Sequence, residues 1–473
     1  SDGVDIVGNL TLATGTLQFT NITGGGIGAS NYGVAVAGTV TAPTILGADI
    51  LGGPGSGTNY GLYITGSLVA NLVRISAGSL GLGSNEIGIN TTGVINATSV
   101  LLTGSGGGLY SAAGQNNYGV SLSGTIFNAT VTGIGGVGLL GNHHGVLVSG
   151  LTANGGITFL NCAGGTGGSS NYGINFSGNF SMVSGTLQFT NICGGGLAAG
   201  NYGIYITGTV TAPVIIGSDI MGGLGTGTDY GLYIHGGTLG STGLGQIDLT
   251  AGTIGLGSSE IGILIDSGGT VLANTISLTG TGGGLYSSAV GGNYGLSINN
   301  GSVNASAAVT LTGFGGTGMS GTNYGLDLET ATLTGSSVTL TGLGGTGSTG
   351  SNYGVYTTTV TLNTTLATFL NCAGGTGGSL NHGVNISSDL TLINGTLQFT
   401  DVAGGGNGTA SNYGLYIPGT VTAPTILGTG IFGGPGTNNN YGMYVAGTLQ
   451  GSQLRMSCGS LGNGSNEYGI NIG

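Results

Sequence analysis

One tripeptide, which recurs along the whole chain at nearly constant spacing, constrains the fold more than any other feature. Asn-Tyr-Gly, or a close variant of it, occurs 17 times; its glycine is Gly3 in the first occurrence and Gly469 in the last, a mean spacing of about 29 residues. A fixed period of this length is typical of repeat architectures, in which each repeat packs on its neighbours. Because no linker interrupts the period, we predict one domain over residues 1–473.

The residues that follow each repeated glycine alternate in polarity. The first is apolar in all 17 repeats and the third in 15, while the residue between them is usually polar or Tyr, as in Ile174-Asn175-Phe176. This alternation indicates a β-strand with one buried face. Each repeat holds two further short apolar segments between glycine clusters, without helical periodicity. The sequence therefore predicts an all-β fold: a single parallel β-solenoid (β-helix) of about 17 coils, in the form of an elongated rod.

A longer repeat lies over the short one. The segment "GTLQFT" occurs three times, and "TVTAP" follows it each time about 25 residues later. These matches predict repeat blocks of about residues 1–157, 158–367 and 368–473. Neither end of the sequence carries a polar strand or an amphipathic helix that would cap a coil. We expect uncapped coils to pair readily with a further strand.

Composition excludes several classes of partner. Of 473 residues, 113 are Gly and only 3% are charged, and the 14 acidic residues face just two basic ones, Arg74 and Arg455. Nucleic acid is excluded because almost nothing would neutralise its phosphates. No run of about 18 apolar residues occurs, so membrane insertion is not expected. Solubility must come from Ser, Thr, Asn and Tyr, which suits an extracellular or cell-surface location.

The two residues before the repeated glycine form the strongest side-chain pattern. The nearer one is Tyr in 12 repeats and the farther one is Asn in 11. In stacked coils such positions become ladders of like side chains, which share ring contacts and amide hydrogen bonds. We interpret them as structural reinforcement, with an aromatic stripe for glycans or a neighbouring fibre as the alternative. The ladder tyrosines are Tyr32, Tyr60, Tyr118, Tyr172, Tyr202, Tyr230, Tyr294, Tyr324, Tyr353, Tyr413, Tyr441 and Tyr468.

Two adjacent histidines in "GNHHGVLV" suggest a metal site or a proton-transfer pair. However, His143 occupies the Asn position of the repeat and His144 the Tyr position, and His382 makes the same Tyr-to-His exchange in "LNHGVNI". We expect no carboxylate or Cys from the neighbouring repeats within reach of them. We therefore interpret them as variant rungs of the ladders and predict no metal and no cofactor.

The cysteines fall at nearly one position of the repeat. Cys162, Cys372 and Cys458 lie 11 residues before a repeated glycine, and Cys193 lies 10 before one. Ala77 replaces Cys458 in a similar segment, which indicates a core position where free Cys acts as a small hydrophobe. Because Cys162 and Cys193 fall on neighbouring coils, we expect them to stack as buried thiols. A disulfide between them is the alternative.

Carboxylates are the usual catalytic groups of β-helix enzymes that act on polysaccharides, and such sites need clustered acids. Glu86, Glu260 and Glu467 occupy equivalent positions that are many coils apart. Asp327 and Glu329 follow one repeated glycine on the outward side of the strand, where we expect two solvated acids. We therefore predict no catalytic residues and no enzymatic activity.

The 29-residue coils, the "GVxV"-type strands, the richness in Gly, Asn, Thr and Ser and the lack of Lys resemble the β-helical passengers of bacterial autotransporters and filamentous-haemagglutinin-type surface proteins. The segments "FTNITGGGI" and "FLNCAGGTGG" are also similar to the F-x-x-N and G-G-x-x repeats of chlamydial polymorphic membrane proteins. These resemblances imply secretion, surface display, and adhesion or fibre formation without catalysis.

From these observations we expect a structural subunit or segment of an extracellular or cell-surface fibre, whose partners are copies of itself, joined end to end or laterally. The first alternative is an adhesin or glycan-binding passenger that contacts glycans or a host surface. A polysaccharide-active enzyme and an ice-binding solenoid are further alternatives. The last is suggested by T-x-T fragments such as "TVTA" and "TLT", but these do not recur in every coil, which argues against a flat threonine face.

Overall fold

In a computed structural model of the chain, the fold is a parallel β-solenoid of about 15 turns of about 29 residues. The described residues are 2–26, 28, 30–81, 83, 85–107, 116–138, 141–242, 245–255, 257–283, 292–318, 321–406, 411–462 and 465–473. No helix occurs in these ranges, hence none that could cross a bilayer. The predicted fold class is confirmed. The predicted count of 17 coils is slightly too high.

The chain divides into two compact units, Ser1–Gly225 and Thr226–Gly473. The continuous domain over residues 1–473 stays a prediction. Among its described residues the first unit has 18 strands. They are β1 (Val4–Ile6), β2 (Leu10–Thr11), β3 (Thr16–Thr23), β4 (Ser30–Val36), β5 (Thr39–Thr41), β6 (Thr44–Gly52), β7 (Thr58–Ile64), β8 (Ser67–Ser79), β9 (Asn85–Thr91), β10 (Val94–Ser105), β11 (Val120–Ile134), β12 (Val146–Ala163), β13 (Ile174–Phe176), β14 (Phe180–Met182), β15 (Thr186–Cys193), β16 (Ile204–Ile206), β17 (Thr209–Thr211) and β18 (Val214–Gly222).

The second unit continues the numbering with shorter and more regular strands. They are β19 (Thr228–His235), β20 (Thr238–Gly240), β21 (Gln246–Thr253), β22 (Ser259–Asp266), β23 (Thr270–Ala273), β24 (Thr275–Thr281), β25 (Leu296–Asn299), β26 (Ser302–Ala305), β27 (Ala308–Phe314), β28 (Leu326–Glu329), β29 (Thr332–Thr334), β30 (Ser337–Leu343), β31 (Val355–Thr357), β32 (Val360–Asn363), β33 (Leu366–Leu370), β34 (Val384–Ile386), β35 (Leu390–Leu392), β36 (Thr396–Ala403), β37 (Leu415–Ile417), β38 (Thr420–Thr422), β39 (Thr425–Gly433), β40 (Asn439–Val445), β41 (Thr448–Gln450), β42 (Gln453–Ser460) and β43 (Asn466–Ile472).

In the second unit each strand pairs in parallel with the strand three places further along the chain, so one turn contributes three strands. The column that follows the repeated glycine shows the register: Leu326 pairs with Val355, and Val355 with Val384. Leu415 and Met443 continue the same column, and none of these side chains is more than 1% exposed. The alternation of the sequence thus becomes continuous inward columns, in which burial of each side chain contributes about 1.5–3 kcal/mol.

The repeated glycine is required where the strand bends between the Tyr position and the inward column. At Gly414, a Cβ atom would lie 2.6 Å from the carbonyl oxygen of Phe432 and 2.7 Å from that of Gly442. Real Cβ atoms do not approach backbone this closely, so any larger residue would force the neighbouring coils apart. Close approach of stacked backbones therefore explains why Gly recurs at this position.

Candidate functional site

The ladder residues of the second unit from Tyr294 to Tyr441 form a continuous stack of buried or half-buried rings. From Tyr294 to Tyr441 six rings follow one another with centroids 4.8–5.1 Å apart and planes within 10° of parallel. Tyr468 extends the stack at 5.3 Å with its ring tilted by 50°. Parallel rings at this spacing gain about 0.5–1.5 kcal/mol per pair beyond their buried area. The rings of the stack are Tyr294, Tyr324, Tyr353, His382, Tyr413 and Tyr441.

The first unit contains two shorter stacks of the same kind. Tyr32 and Tyr60 lie 5.3 Å apart, and the next coil carries buried Ile87 at the ladder position. The second stack contains Tyr118, His144, Tyr172 and Tyr202, with centroid distances of 5.1, 4.6 and 4.9 Å. The ring stacking is therefore interrupted where the repeat carries Ile.

A second row of tyrosines, which sequence reasoning missed, covers the first. It occupies the position three residues after a ladder tyrosine: Tyr356, for example, lies 5.1 Å from Tyr324 and 5.9 Å from Tyr353. Burial of the ladder rings is greatest between Tyr324 and Tyr441, as at Tyr353, which is only 5% exposed, whereas Tyr118 and Tyr294 are half-buried. Because neighbouring rings take up their faces, the ladder offers no flat aromatic platform on which a sugar could stack. The row consists of Tyr63, Tyr205, Tyr233, Tyr356, Tyr416 and Tyr444.

The Asn position of the repeat forms a second ladder, which lies inside the solenoid. In the second unit the side-chain amide nitrogen of each Asn donates to the amide oxygen of the next: Asn293 to Asn323 at 3.0 Å and Asn323 to Asn352 at 2.8 Å. Asn352 continues to Asn381 at 3.0 Å and Asn381 to Asn412 at 3.2 Å. All five side chains are fully buried. Buried amides that bond to their counterparts lock the register between coils.

Three glutamates replace Asn in this inner ladder, and the sequence interpretation did not recognise their burial. Glu86 is fully buried; its Oε1 accepts bonds from Asn59 at 2.6 Å and from the Gly83 amide at 2.9 Å, and its Oε2 accepts the Ser79 hydroxyl. Burial raises the pKa of Glu86, and the bonds from Ser79 and Asn59 partly offset that effect. A Cβ atom at Gly83 would lie 2.6 Å from Oε1, so the loop wraps closely round the carboxyl group.

The same arrangement recurs at Glu260 and Glu467. Thr253 donates to Glu260, and Ser460 donates to Glu467. The signal was present in the sequence, because "SLGLGSNE", "TIGLGSSE" and "SLGNGSNE" share a hydroxyl residue seven positions before the Glu and two glycines between them. This motif predicts an enclosed carboxyl group wherever it falls on the Asn position.

Two acids of the inner ladder lie directly next to each other in the second unit. Asp229 pairs with Glu260 across strands β19 and β22, and both side chains are fully buried. Burial raises the pKa of Glu260 to about 8, and the nearby Asp229 adds to the rise while Thr253 opposes it. Two adjacent buried carboxyl groups cannot both ionise at low cost, so the pair retains a proton at neutral pH.

The histidines are part of the ladders, as the sequence predicts. His144 stacks between Tyr118 and Tyr172, and its Nδ1 accepts the backbone N–H of Tyr172 at 3.3 Å. His382 accepts the N–H of Tyr413 in the same way at 3.1 Å. Burial lowers the pKa of both to about 3, so both rings are neutral. His143 is fully buried at the Asn position. No cluster of three or more His, Cys, Asp or Glu suited to a metal ion occurs in the described ranges.

The interpretation of Asp327 and Glu329 as two solvated acids was wrong for Asp327. That side chain is 4% exposed, because the double row of tyrosines lies beside it, and it accepts a hydrogen bond from Ser297 at 3.1 Å. Burial, with the Glu329 charge nearby, raises the pKa of Asp327 to about 8. The sequence correctly predicted that Asp327 points outward. It could not show that tyrosine rings beside this side chain bury it.

The four cysteines are free thiols, and Cys162 and Cys193 do not stack as predicted. Cys162 is fully buried and pairs with Ile192, whereas Cys193 pairs with Ala163 and is half-buried. Cys193 lies one residue past the inward position, and a shift of one residue turns a strand side chain to the other face. Burial raises the pKa of Cys162 to about 12, which makes it an unreactive core thiol.

Another surface cluster, which the sequence did not indicate, lies in the second unit. The Nδ1 of His235 is 2.7 Å from Oδ1 of Asp266, and the Tyr233 hydroxyl lies 2.8 Å from His235 and 3.0 Å from Asp266. His235 is 42% exposed, so its contact with Asp266 contributes little to stability. No family model, no curated protein and no solved structure matches this chain.

Proposed function

We propose that this chain is a structural protein, a subunit or segment of an extracellular or cell-surface fibre in which coils of one copy stack on coils of another. The observation that carries the proposal is the likeness of neighbouring rungs. Amide bonds to amide in the inner ladder and ring stacks on ring in the outer one, as at Asn323–Asn352 and Tyr324–Tyr353. Each coil thus presents the groups that a further coil of the same kind needs.

The coil that ends in β43 offers such a surface. Ile470 and Ile472 are 43% and 69% exposed, whereas their partners one coil earlier, Met443 and Val445, are 1% and 3% exposed. Within the described ranges β43 pairs with β40 alone. An exposed strand edge of this kind pairs readily with another strand. We assign that strand to a second copy of this chain, because its coils carry the same amide and ring rungs.

A glycan-binding adhesin is the second candidate, and it has less support. Its proposed platform was the tyrosine ladder, but the ring faces are covered by other rings, and Tyr324 is 8% exposed. The low charge of the chain and its abundance of Ser, Thr and Asn remain the support for an extracellular location.

Sedimentation velocity and negative-stain microscopy over a range of protein concentrations test the proposal. We expect the wild-type chain to form filaments, and Ile472→Asp to abolish them because a carboxylate enters the stacking face. Val183→Asp is the matched control, since Val183 is 70% exposed within an inner coil. Single particles of the wild type at every concentration, or equal loss of filaments in both variants, would refute end-to-end stacking.

A further inference from the structure

Three side chains on the outer surface of the second unit bring nitrogen and oxygen donor atoms into mutual contact. They are Tyr233 and His235 near the end of β19 and Asp266 at the end of β22. His235 pairs in register with Asp266, and Tyr233, two residues before His235, points to the same side of its strand. We call these residues the Tyr-His-Asp cluster. The sequence prediction of no metal considered the histidines of the ladders and did not weigh this cluster.

The contacts of the cluster form a closed ring. Nδ1 of His235 lies 2.7 Å from Oδ1 of Asp266 and 2.8 Å from the Tyr233 hydroxyl oxygen, which lies 3.0 Å from Oδ2 of Asp266. Nitrogen and oxygen ligands lie about 2.0–2.2 Å from a transition metal ion, so ligands at right angles to each other are about 2.8–3.1 Å apart. The spacings of 2.7–3.0 Å in the cluster are close to that range. One ion could therefore contact all three side chains without rearrangement of the strands.

Hydrogen bonding leaves one contact of the ring without a hydrogen of its own. The Tyr233 hydroxyl donates its single hydrogen to Asp266, so the one hydrogen that Nδ1 of His235 can carry must serve the other two contacts. An ordinary hydroxyl–carboxyl contact, such as that of Ser297 with Asp327, has one hydrogen for one contact. A cation, in contrast, engages the lone pairs of all three side chains at once.

The surroundings of the cluster favour a cation and give it access. The second unit contains nine Asp and Glu residues but a single Arg, Arg455, which lies on β42. An excess of acidic groups raises the local concentration of cations. The side chains of His235 and Asp266 are 42% and 23% exposed, so an ion can enter from solvent and keep water at its remaining coordination positions.

The cluster is not a general consequence of the repeat. Tyr233 belongs to the row of tyrosines that covers the ladder, and it alone in that row is followed two residues later by His. The corresponding residues of the other five coils are Thr, Pro or Ala, none of which has a side chain that binds metal ions well. They are Thr65, Thr207, Thr358, Pro418 and Ala446.

We propose that Tyr233, His235 and Asp266 bind a copper(II) ion. Cu²⁺ accepts nitrogen and oxygen ligands in tetragonal geometry, and among divalent ions of the first transition row it binds such ligand sets most tightly. Nδ1 of His235 binds the ion while Nε2 carries the hydrogen of the ring. The Tyr233 hydroxyl releases its proton to solvent, and the phenolate oxygen becomes a ligand beside the carboxylate of Asp266. This activity is separate from fibre formation and does not depend on it.

The test is a titration of the full chain with Cu²⁺, followed by electron paramagnetic resonance and visible absorption. We expect the wild type to bind one equivalent, with hyperfine splitting from one nitrogen and a phenolate-to-copper charge-transfer band. Tyr233→Phe should abolish the band, and His235→Gln should abolish the nitrogen splitting. Each should weaken binding at least about tenfold, the loss that removal of a partner outside the coordination sphere already causes. Circular dichroism checks that both variants fold.

Tyr416→Phe is the matched control, because Tyr416 occupies the same row and is followed two residues later by Pro418 in place of His. It should bind Cu²⁺ as the wild type does. Failure of the wild type to bind one equivalent, unchanged binding in His235→Gln, or equal loss in Tyr416→Phe would overturn the proposal. A charge-transfer band that persists in Tyr233→Phe would also overturn it, because the copper ion would then lie elsewhere.

Discussion

The inner ladder runs through amide rungs from Asn293 to Asn412 in the second unit and includes a carboxyl rung at Glu86 in the first, and the comparison of these two stretches explains what each kind of rung does. In the second unit Asn323 donates to Asn352, and Asn352 donates to Asn381, so each amide both gives and receives. In the first unit Asn59 donates to Glu86, which cannot pass a side-chain hydrogen on when ionised. The next link is instead the backbone N–H of Glu86 to the oxygen of Asn117 at 3.1 Å.

The difference shows that the repeat preserves the place of a polar group rather than its identity. An amide rung bonds to the amides of both neighbouring coils and also donates to a loop carbonyl, as Asn323 does to Gly318, whereas a carboxyl rung only accepts and is held by Ser79 and the Gly83 amide of its own coil. Amide rungs should therefore be insensitive to pH, and carboxyl rungs should make stability depend on it.

Among single substitutions, we expect the largest loss of stability when an amide rung of the inner ladder is removed. Asn352→Ala removes one donor and one acceptor, and it leaves the buried groups of Asn323 and Asn381 without their ladder partner. We expect a loss of about 2–4 kcal/mol in the free energy of unfolding, measured by chemical denaturation. Asn304→Ala, on the outer face with a single bond to Ser302, should cost about 1 kcal/mol or less. Equal losses would contradict the role of the inner ladder.

The second prediction is that the carboxyl rung Glu260 makes the stability of the protein depend on pH. The raised pKa of Glu260 means that the folded chain holds its proton more tightly than the unfolded chain does. Its stabilising contribution is thus fully present below the ordinary Glu value of 4.5 and is lost as pH rises through about 8. We expect the free energy of unfolding to fall by about 5 kcal/mol over that window, at about 1.36 kcal/mol per pKa unit.

Glu260→Gln should make this pH profile shallower, because Gln supplies an uncharged group at the same place, while Asp327 and Glu86 still contribute to the slope. Asn352→Asp is the converse change, and it should make the fall in stability with rising pH steeper than in the wild type. The measurement is the melting temperature at a series of pH values for the wild type and each variant. A profile in Glu260→Gln as steep as that of the wild type would show that Glu260 is ionised in the folded protein.

The tyrosine ladder should show a smaller effect. Tyr353→Leu keeps an apolar side chain but loses ring contacts on both sides, with Tyr324 at 4.9 Å and His382 at 5.0 Å. We expect a loss of about 1–3 kcal/mol in the free energy of unfolding. Tyr63→Leu, at a half-buried residue of the covering row, should cost less. The reverse order would mean that the covering row, and not the ladder, carries the stability.

The smallest effect concerns the cysteines. Cys372 is fully buried and its pKa is raised to about 12 by burial, so it should resist alkylation until the chain unfolds. Cys193 is half-buried and should react in the native state, although more slowly than an exposed thiol. Mass spectrometry after brief treatment with iodoacetamide gives the comparison. Native labelling of Cys372 would contradict its placement in the core.

Much of the fold could be predicted because a solenoid repeats one local rule. The alternation after each repeated glycine placed Val146 and Val148 inside, and both are fully buried. The prediction for Cys193 was wrong because Cys193 lies 10 residues before the repeated glycine, whereas the other three cysteines lie 11 before it. Since successive side chains of a strand point to opposite faces, this difference of one residue turns Cys193 away from the core. In the coil of Cys193 the residue that lies 11 before Gly203 is Ile192, which is therefore the one expected to point inward.

The candidate site was less predictable, since burial depends on what neighbouring coils add. Glu86 follows Ser and Asn, residues typical of a surface turn, and its enclosure comes from Ser79 and a glycine loop. Asp327 points outward, as the pattern indicates, but tyrosines of neighbouring coils cover it. Likewise, Asp49 and Asp219 align with Gly430 because all three adopt positive φ angles of 53°, 55° and 65°. That shared position reflects backbone conformation rather than charge.

A double-mutant cycle on Asn323 and Asn352 tests the central claim most directly, namely that like side chains bond from coil to coil and hold the solenoid together. The free energy of unfolding is measured for the wild type, Asn323→Ala, Asn352→Ala and the double variant. We predict a coupling energy on the order of 1 kcal/mol or more, because the two amides share a buried hydrogen bond of 2.8 Å. Additive losses, with no coupling between the two positions, would contradict the claim.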